Sequence, residues 1–298
     1  MLEAAGMNDN AAIAGADHLI RLRHAALHSR RDGGPVTGMP GGFVSRKRGR
    51  GLEPDDIRAY VPGDDIRHID RNATARHGTP QVRQFREERD RTVLLIADFR
   101  PAMLWGTRRV LRLAAAAEAL AITGWMACET GARVGLYAFG SDAPTYVPAR
   151  ARERGMIDVI GGLVAAQRNA FRMERSDELA TELEGAFRWL PHGGTAVLAS
   201  SLDAPGDAFA PLASSVGRRS RFELLLICDS FEIDPPAGHY PFRTGDLPPD
   251  IAVIDGKSRR AGLGERLALC QRADIPVTLI DAGAGTEAMA HKIGSRNG

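Results

Sequence analysis

The pattern is plainest at Thr92-Val-Leu-Leu-Ile-Ala97, a run almost entirely apolar and without alternation. A strand buried on both faces reads this way, as in a parallel sheet with helices on either side. The run ends on a carboxylate, Asp98, and an Ala- and Leu-rich stretch predicts a helix from about Thr107 to Cys128. That helix is apolar on most faces, hence largely buried, and Gly131 ends it. The alternation then continues to the C-terminus. A strand is expected at Arg133–Phe139 and a short edge piece at Tyr146–Pro148. Helices are expected at about Ala151–Ala166 and at Ser176–Leu190, the second capped by Ser176. A strand at Thr195–Ala199 runs into Ser200 and Ser201, and a helix is expected at Pro205–Val216. A second doubly buried strand, Phe222–Cys228, ends on Asp229. A hairpin lies within the Pro- and Gly-rich stretch Phe231–Asp255. Helix Leu263–Ala273, strand Pro276–Ile280 ending on Asp281, and helix Thr286–Ile293 complete the chain. Alternating strands and helices predict an α/β fold with a doubly wound, mostly parallel sheet.

Two segments precede this core, giving the organisation 1–35, 36–90 and 91–298. The first carries one amphipathic helix, about Ala11 to Arg30, with Ile13, Leu19, Ile20, Leu22 and Leu27 as its apolar positions. His24 and His28 stand four apart, the spacing of two ligands on one helical face, but no third ligand is near and they read as solvated. Asp32-Gly-Gly-Pro35 breaks the helix. The second segment is irregular, poor in helix signals and rich in Gly, Arg and Asp, with a short strand expected at Gln81–Phe85. Pro62-Gly63 marks a turn, because proline presets φ and glycine tolerates positive φ. Around it Arg58, Asp64, Asp65, Arg67, Asp70 and Arg76 alternate in sign at close spacing. Guanidinium–carboxylate pairs satisfy each other bidentately. The segment therefore reads equally as a self-satisfied structural network or as a recognition surface.

Composition narrows the function classes. The 298 residues are 44% hydrophobic and 26% charged, with a formal net charge of +2. This is ordinary for a globular protein and gives no bulk attraction for nucleic acid. The basic run Ser45-Arg-Lys-Arg-Gly-Arg50 lacks aromatics and reads as a solvated loop. No apolar run approaches a membrane span, and Met1 to Asn10 lacks the apolar core of a secretory signal, so a cytoplasmic protein is expected. Cys128, Cys228 and Cys270 are far apart among apolar residues and read as reduced, buried thiols, without zinc spacing. Gly283-Ala-Gly285-Thr-Glu-Ala288 follows a strand as a dinucleotide fingerprint does, but too little chain follows it to build the required βαβ unit. No P-loop, nucleophile elbow or zinc-protease helix motif is present. Asp98, Asp229 and Asp281 stand at strand ends, where α/β proteins place their chemistry. No nucleophile–base pair is legible beside them, so no cofactor is expected, and a hydrolase using Asp98 and Asp229 is the weakest of the function classes considered.

The segment before the core carries a resemblance. Gly49-Arg-Gly51, Arg58-Ala-Tyr60-Val-Pro62-Gly63-Asp64-Asp65-Ile-Arg67-His-Ile-Asp70, Thr74-Ala-Arg76 and Phe85-Arg-Glu87-Glu88-Arg89-Asp90 follow one another at fixed spacing. Together they resemble the signature of the bacterial domain of unknown function family fifty-eight, over roughly residues 40 to 290. Asp229-Ser-Phe-Glu232 resembles a later element of the same family. The resemblance implies a core similar to a von Willebrand factor A domain and a MoxR-type AAA+ ATPase as partner. It thereby implies a chaperone-like or adaptor role, with Tyr60, Pro62, Gly63, Asp64, Asp65, Arg67, Asp70, Thr74, Arg76, Glu88 and Arg89 as candidate partner-binding positions. Three departures matter. Von Willebrand A domains hold Mg²⁺ with an Asp-x-Ser-x-Ser motif after the first strand, whereas this chain has Asp98, Arg100 and Ala102, with Ser201 where a later acid is usual. A guanidinium donates nothing to a cation, so a degenerate metal site is implied. Arg71 stands where the family usually has tryptophan, and the two membrane helices common in the family are not found in this sequence, implying a soluble version. A metal-dependent adhesion-type module using Asp98 is the alternative.

Overall fold

A computed structural model describes residues 13–31, 54–61, 64, 66–85, 91–172, 177–242, 250–254 and 261–295. The chain divides into two compact units, Met1–Pro40 with Thr92–Gly298, and Gly41–Arg91.

The larger unit is α/β. Its elements are α1 (Ala16–Arg31), β3 (Thr92–Asp98), α3 (Arg112–Glu129), β4 (Arg133–Phe139), β5 (Thr145–Ala151), α4 (Arg152–Ala170), α5 (Leu179–Phe187), β6 (Thr195–Ser200), α6 (Phe209–Gly217), β7 (Arg221–Cys228), the single turn α7 (Ser230–Ile233), β8 (Gly238–Phe242), β9 (Asp250–Ile254), α8 (Ala261–Arg272), β10 (Val277–Asp281) and α9 (Thr286–Ser295). Six strands form one sheet in the order β10-β7-β6-β3-β4-β5, parallel except for the edge strand β5, which runs antiparallel to β4. The expected hairpin in the Pro- and Gly-rich stretch is the antiparallel pair β8–β9.

Strand β3 explains the layering. Val93, Leu95 and Ala97 point into one apolar cluster, shared with α1, α3, α4 and α9. Leu94 and Ile96 point into a second, shared with α5, α6 and α8. A strand so placed has no polar face, which accounts for its unbroken apolar run. Helix α3 is buried almost all round because α1 lies over it: Leu19, Leu22 and Ala26 join its cluster, and the Trp125 indole N–H donates to the Leu19 carbonyl at 3.1 Å. The N-terminal helix therefore belongs to the core layer. His24 and His28 lie on its exposed side.

Helix α3 begins at Arg112, not at Thr107. Thr107 is held elsewhere: its backbone N–H and hydroxyl both donate to Asp229, the amide at 2.8 Å. Helix α5 likewise begins at Leu179, and Ser176 lies outside the described residues. Its first two amides, Leu179 and Ala180, donate to the carbonyls of Ala204 and Pro205. Among the described residues, no helix is long and apolar enough to cross a membrane.

The smaller unit pairs β1 (Pro54–Ala59) antiparallel with β2 (Gln81–Phe85), the strand expected there. Contrary to expectation it also contains a helix, α2 (Arg71–His77). The helix is short and polar, so periodicity could not reveal it; its ends define it instead. The Asp70 carboxylate caps the N-terminus by accepting from the Ala73 amide at 2.8 Å. Gly78 closes the C-terminus in the left-handed conformation, φ 68°.

Candidate functional site

Strands β3 and β6 are neighbours, yet the chain leaves them toward opposite sides of the sheet. In an open α/β sheet the crevice at such a switch point, beyond the strand C-termini, is where ligands sit. Asp98 ends β3 there and Ser200 ends β6. Both are fully buried.

The Asp98 carboxylate is saturated. Its Oδ1 accepts from the Arg100 backbone amide at 3.1 Å and from Arg100 Nε at 2.9 Å. Its Oδ2 accepts from Arg100 Nη2 at 2.9 Å and from the Ser200 hydroxyl at 2.6 Å. Two carboxylate oxygens offer about four lone-pair sites, and all are taken. Arg100 folds back onto Asp98 from the turn after β3. Burial alone pulls its pKa down, but the bonds and charge of Asp98 outweigh this and the net direction is up. A divalent cation here would need oxygen ligands turned toward a single point. As arranged, the first carboxylate of the expected metal motif faces a guanidinium, so the residues present do not fit a metal.

The surrounding turns are shaped around this pair. Gly140, at the end of β4, has φ 107°, and a Cβ there would overlap the Phe99 carbonyl and the Arg100 amide, so only glycine lets the turn carrying Arg100 pass so close. After β6, Leu202 and Ala204 adopt φ of 59° and 44°. Left-handed backbone at such residues costs roughly 1–2 kcal/mol each. The strain is offset by what the loop delivers. The Leu202 amide donates to the Ser200 hydroxyl at 2.9 Å, and the carbonyls of Asp203 and Ala204 accept from Arg100 at 2.7 and 3.4 Å.

A second network continues along the same edge. Ala102, expected to matter by lacking a ligand, contributes its carbonyl, which accepts from Arg112 Nη1 at 3.1 Å. Arg112 also reaches Asp203 at 3.2 Å and pairs with Glu232, while its guanidinium lies 4.6 Å from the centre of the Trp105 ring. Arg266 bridges Glu232 and the Ser201 carbonyl, both at 2.8 Å. The Ser201 hydroxyl donates to Asp203 at 2.6 Å. Of the two adjacent serines Ser200 touches Asp98, while Ser201, the position where the resemblance places a later acid, bonds to Asp203. Asp229 and Glu232 form a capping box over the first turn of α7. Asp281 accepts from the Ser230 hydroxyl at 2.6 Å and the Gly283 amide at 2.8 Å. Each strand-end acid is thus engaged by neighbouring donors. Among the described residues no group of three His, Cys, Asp or Glu side chains is placed to hold a metal ion.

Within α3, Glu118 is buried and binds Arg109 through both oxygens, at 2.9 and 2.6 Å, and His18 at 2.8 Å. Burial pushes its carboxyl up, and the bonds from His18 and Arg109 more than reverse this, holding it below the usual range. Burial drives the Cys228 thiol up to about 12 and Cys270 to about 11, so neither is a thiolate at neutral pH.

In the smaller unit, Arg58 and Asp64 make a bidentate pair at 2.7 and 2.6 Å, and the Val61 amide adds a bond to Asp64 at 2.9 Å. Tyr60 enters through its backbone, donating to the Pro80 carbonyl at 2.8 Å. The Thr74 hydroxyl accepts from the Gln81 amide at 2.9 Å, and Arg76 donates to the Asn72 carbonyl at 3.3 Å. Arg67 is exposed and Asp70 caps α2. Pro62, Gly63, Asp65, Glu88 and Arg89 lie outside the described residues.

Comparison with known proteins follows the same residues. The family described as "Protein of unknown function DUF58" matches residues 56–232. Uncharacterized proteins of Mycobacterium bovis and Mycobacterium tuberculosis are 33% identical over 244 residues, 79% of this chain and 74% of theirs. The crystal structure of a conserved hypothetical protein, BatB, from Bacteroides thetaiotaomicron is similar with a TM-score of 0.46 and 12% identity, covering 68% of this chain and 97% of that one. With the family match over residues 56–232 and the mycobacterial relatives at 33% identity, the chain belongs to the DUF58 family.

Proposed function

We propose that this chain is a non-enzymatic protein-binding or adaptor module, built on a von Willebrand factor A-like core with a degenerate metal site, and that it acts in the cytoplasm with a MoxR-type AAA+ ATPase. The observation that carries the reading is the closure of Asp98 by Arg100 and Ser200. A carboxylate with every acceptor site filled offers neither a base nor a ligand, which favours recognition over chemistry at this edge. The resemblance supplies the partner class. Neither a cofactor nor nucleic acid belongs to the reading. The Arg58–Asp64 pair, with the Val61 amide on Asp64, supplies a braced, part-exposed surface of the kind a partner recognises.

The test is co-purification of the tagged chain from its native host at endogenous level, followed by reconstitution with the purified MoxR-type ATPase. The expected result is a complex that survives chelation by EDTA. No complex with the purified ATPase overturns the partner assignment. A complex abolished by EDTA and restored by Mg²⁺ favours a metal-dependent adhesion-type module instead.

A further inference from the structure

We infer that the Arg100 side chain is a tethered cation: its guanidinium holds the strand-end loops in one arrangement and makes this edge independent of any bound metal. The inference concerns the same edge as the proposed function but does not need the ATPase to be its partner.

The geometry is that of a site built for a planar ion. Arg100 Nε and Nη2 take the two oxygens of Asp98, both at 2.9 Å. Nη2 also takes the Asp203 carbonyl at 2.7 Å. Nη1 takes the carbonyls of Asp177 at 3.2 Å and Ala204 at 3.4 Å. These five bonds match the five N–H donors of a guanidinium. The acceptors come from three separate parts of the chain: the end of β3, Asp177 two residues before α5, and the loop after β6. Among the described residues no other side chain bonds to all three, and the loop after β6 holds two residues in left-handed backbone to present its carbonyls. Strain of this kind persists only where the surroundings over-determine it. The acceptors are divided among the three nitrogens of a flat fork, one on Nε and two on each Nη. A small octahedral cation would need them drawn to about 2.0–2.1 Å from one point. A lysine ammonium would supply the charge without the fork.

Vacating the side chain should therefore create a pocket for a free guanidinium ion. The experiment measures melting of the whole chain as parent, Arg100→Ala and Arg100→Lys, with and without low-millimolar guanidinium chloride, MgCl₂ or MnCl₂, using NaCl as the ionic control. Arg100→Ala is expected to melt lower by on the order of 10 °C, with saturable partial recovery in guanidinium at concentrations far below those that denature. The parent should gain nothing from guanidinium or either metal. If Arg100→Ala does not fold, Arg100→Lys decides: a clear loss supports the fork, and a parent-like melting point overturns it. An unchanged Arg100→Ala also overturns it, as does recovery by Mg²⁺ or Mn²⁺ with none by guanidinium. Failure of the ATPase to bind would leave all of these readings intact.

Discussion

Two bidentate arginine–aspartate pairs sit in different parts of this chain, one made through Nε and Nη2 and the other through both Nη nitrogens. Arg100–Asp98 lies at the switch point of the large sheet with side chains 4% and 1% exposed, and Arg58–Asp64 lies in the signature segment at 22% and 15%. Their bond lengths are similar, 2.9 Å against 2.6 and 2.7 Å. What differs is the fate of the partner when one member is lost. Asp64 keeps the Val61 amide and is part-exposed to water, so that pair is worth little by itself. A stranded Asp98 would keep only a backbone amide and the Ser200 hydroxyl against its charge, in a site closed to water. Contact geometry alone does not rank the two; solvent does.

The largest effect should come from truncating the buried pair. Arg100→Ala or Asp98→Ala is expected to cost about 3–5 kcal/mol in denaturant unfolding, because each strands the other charge. A loss below about 1 kcal/mol for either, the surface-pair range, would break the comparison.

Glu118 provides an intermediate case, since its carboxylate is buried while His18 and Arg109 are 38% and 28% exposed. Glu118→Gln removes the charge but strands partners that water still reaches, so a loss of about 1–3 kcal/mol is expected at neutral pH. The same group sets a pH dependence. Its folded pKa lies below the ordinary value of 4.5. A depressed carboxyl contributes stability that is present above its unfolded pKa and lost as pH falls through the folded one. Melting curves between neutrality and pH 3 (roughly the range below an ordinary carboxyl) should show the parent losing its advantage over Glu118→Gln only on the acid side. A constant gap across that range would contradict the assignment.

Ser200→Ala should cost less, about 1–2 kcal/mol, by removing one donor to Asp98 and the acceptor of the Leu202 amide while leaving the guanidinium in place. Ser201→Ala serves as the control, since its hydroxyl touches Asp203 and not Asp98. Equal effects would mean that the two serines are not distinguished as described. The smallest effect is expected from Arg58→Ala, a minor fraction of the Arg100→Ala loss in a side-by-side melt. A comparable loss would show that the signature pair is as structural as the buried one.

Much of the larger unit was legible because burial leaves a mark on sequence. Strands covered on both faces must be apolar throughout, so β3 and β7 announced themselves and their terminal acids with them. Arg100 was visible as a cation two residues past a buried acid. Other features leave no such mark. Ser200 and Ser201 are adjacent and chemically identical, and only the register of β6 decides which reaches Asp98. Main-chain carbonyls at Asp177, Asp203 and Ala204 carry no residue signature, and the left-handed turns use leucine and alanine where glycine would have been a signal. Helix α3 was placed one turn too early because Thr107 has ordinary helical neighbours, and its capture by Asp229, far along the chain, is a tertiary event. Helix α2 was missed because a seven-residue polar helix shows no period and is specified by its caps.

Asp98 is closed to metal by its own arginine, and calorimetric titration of the unmodified chain with Mg²⁺ and Mn²⁺ is the sharpest check. No saturable heat is expected with either ion; micromolar binding that disappears in Asp98→Ala would mean that Asp98 is open to a cation.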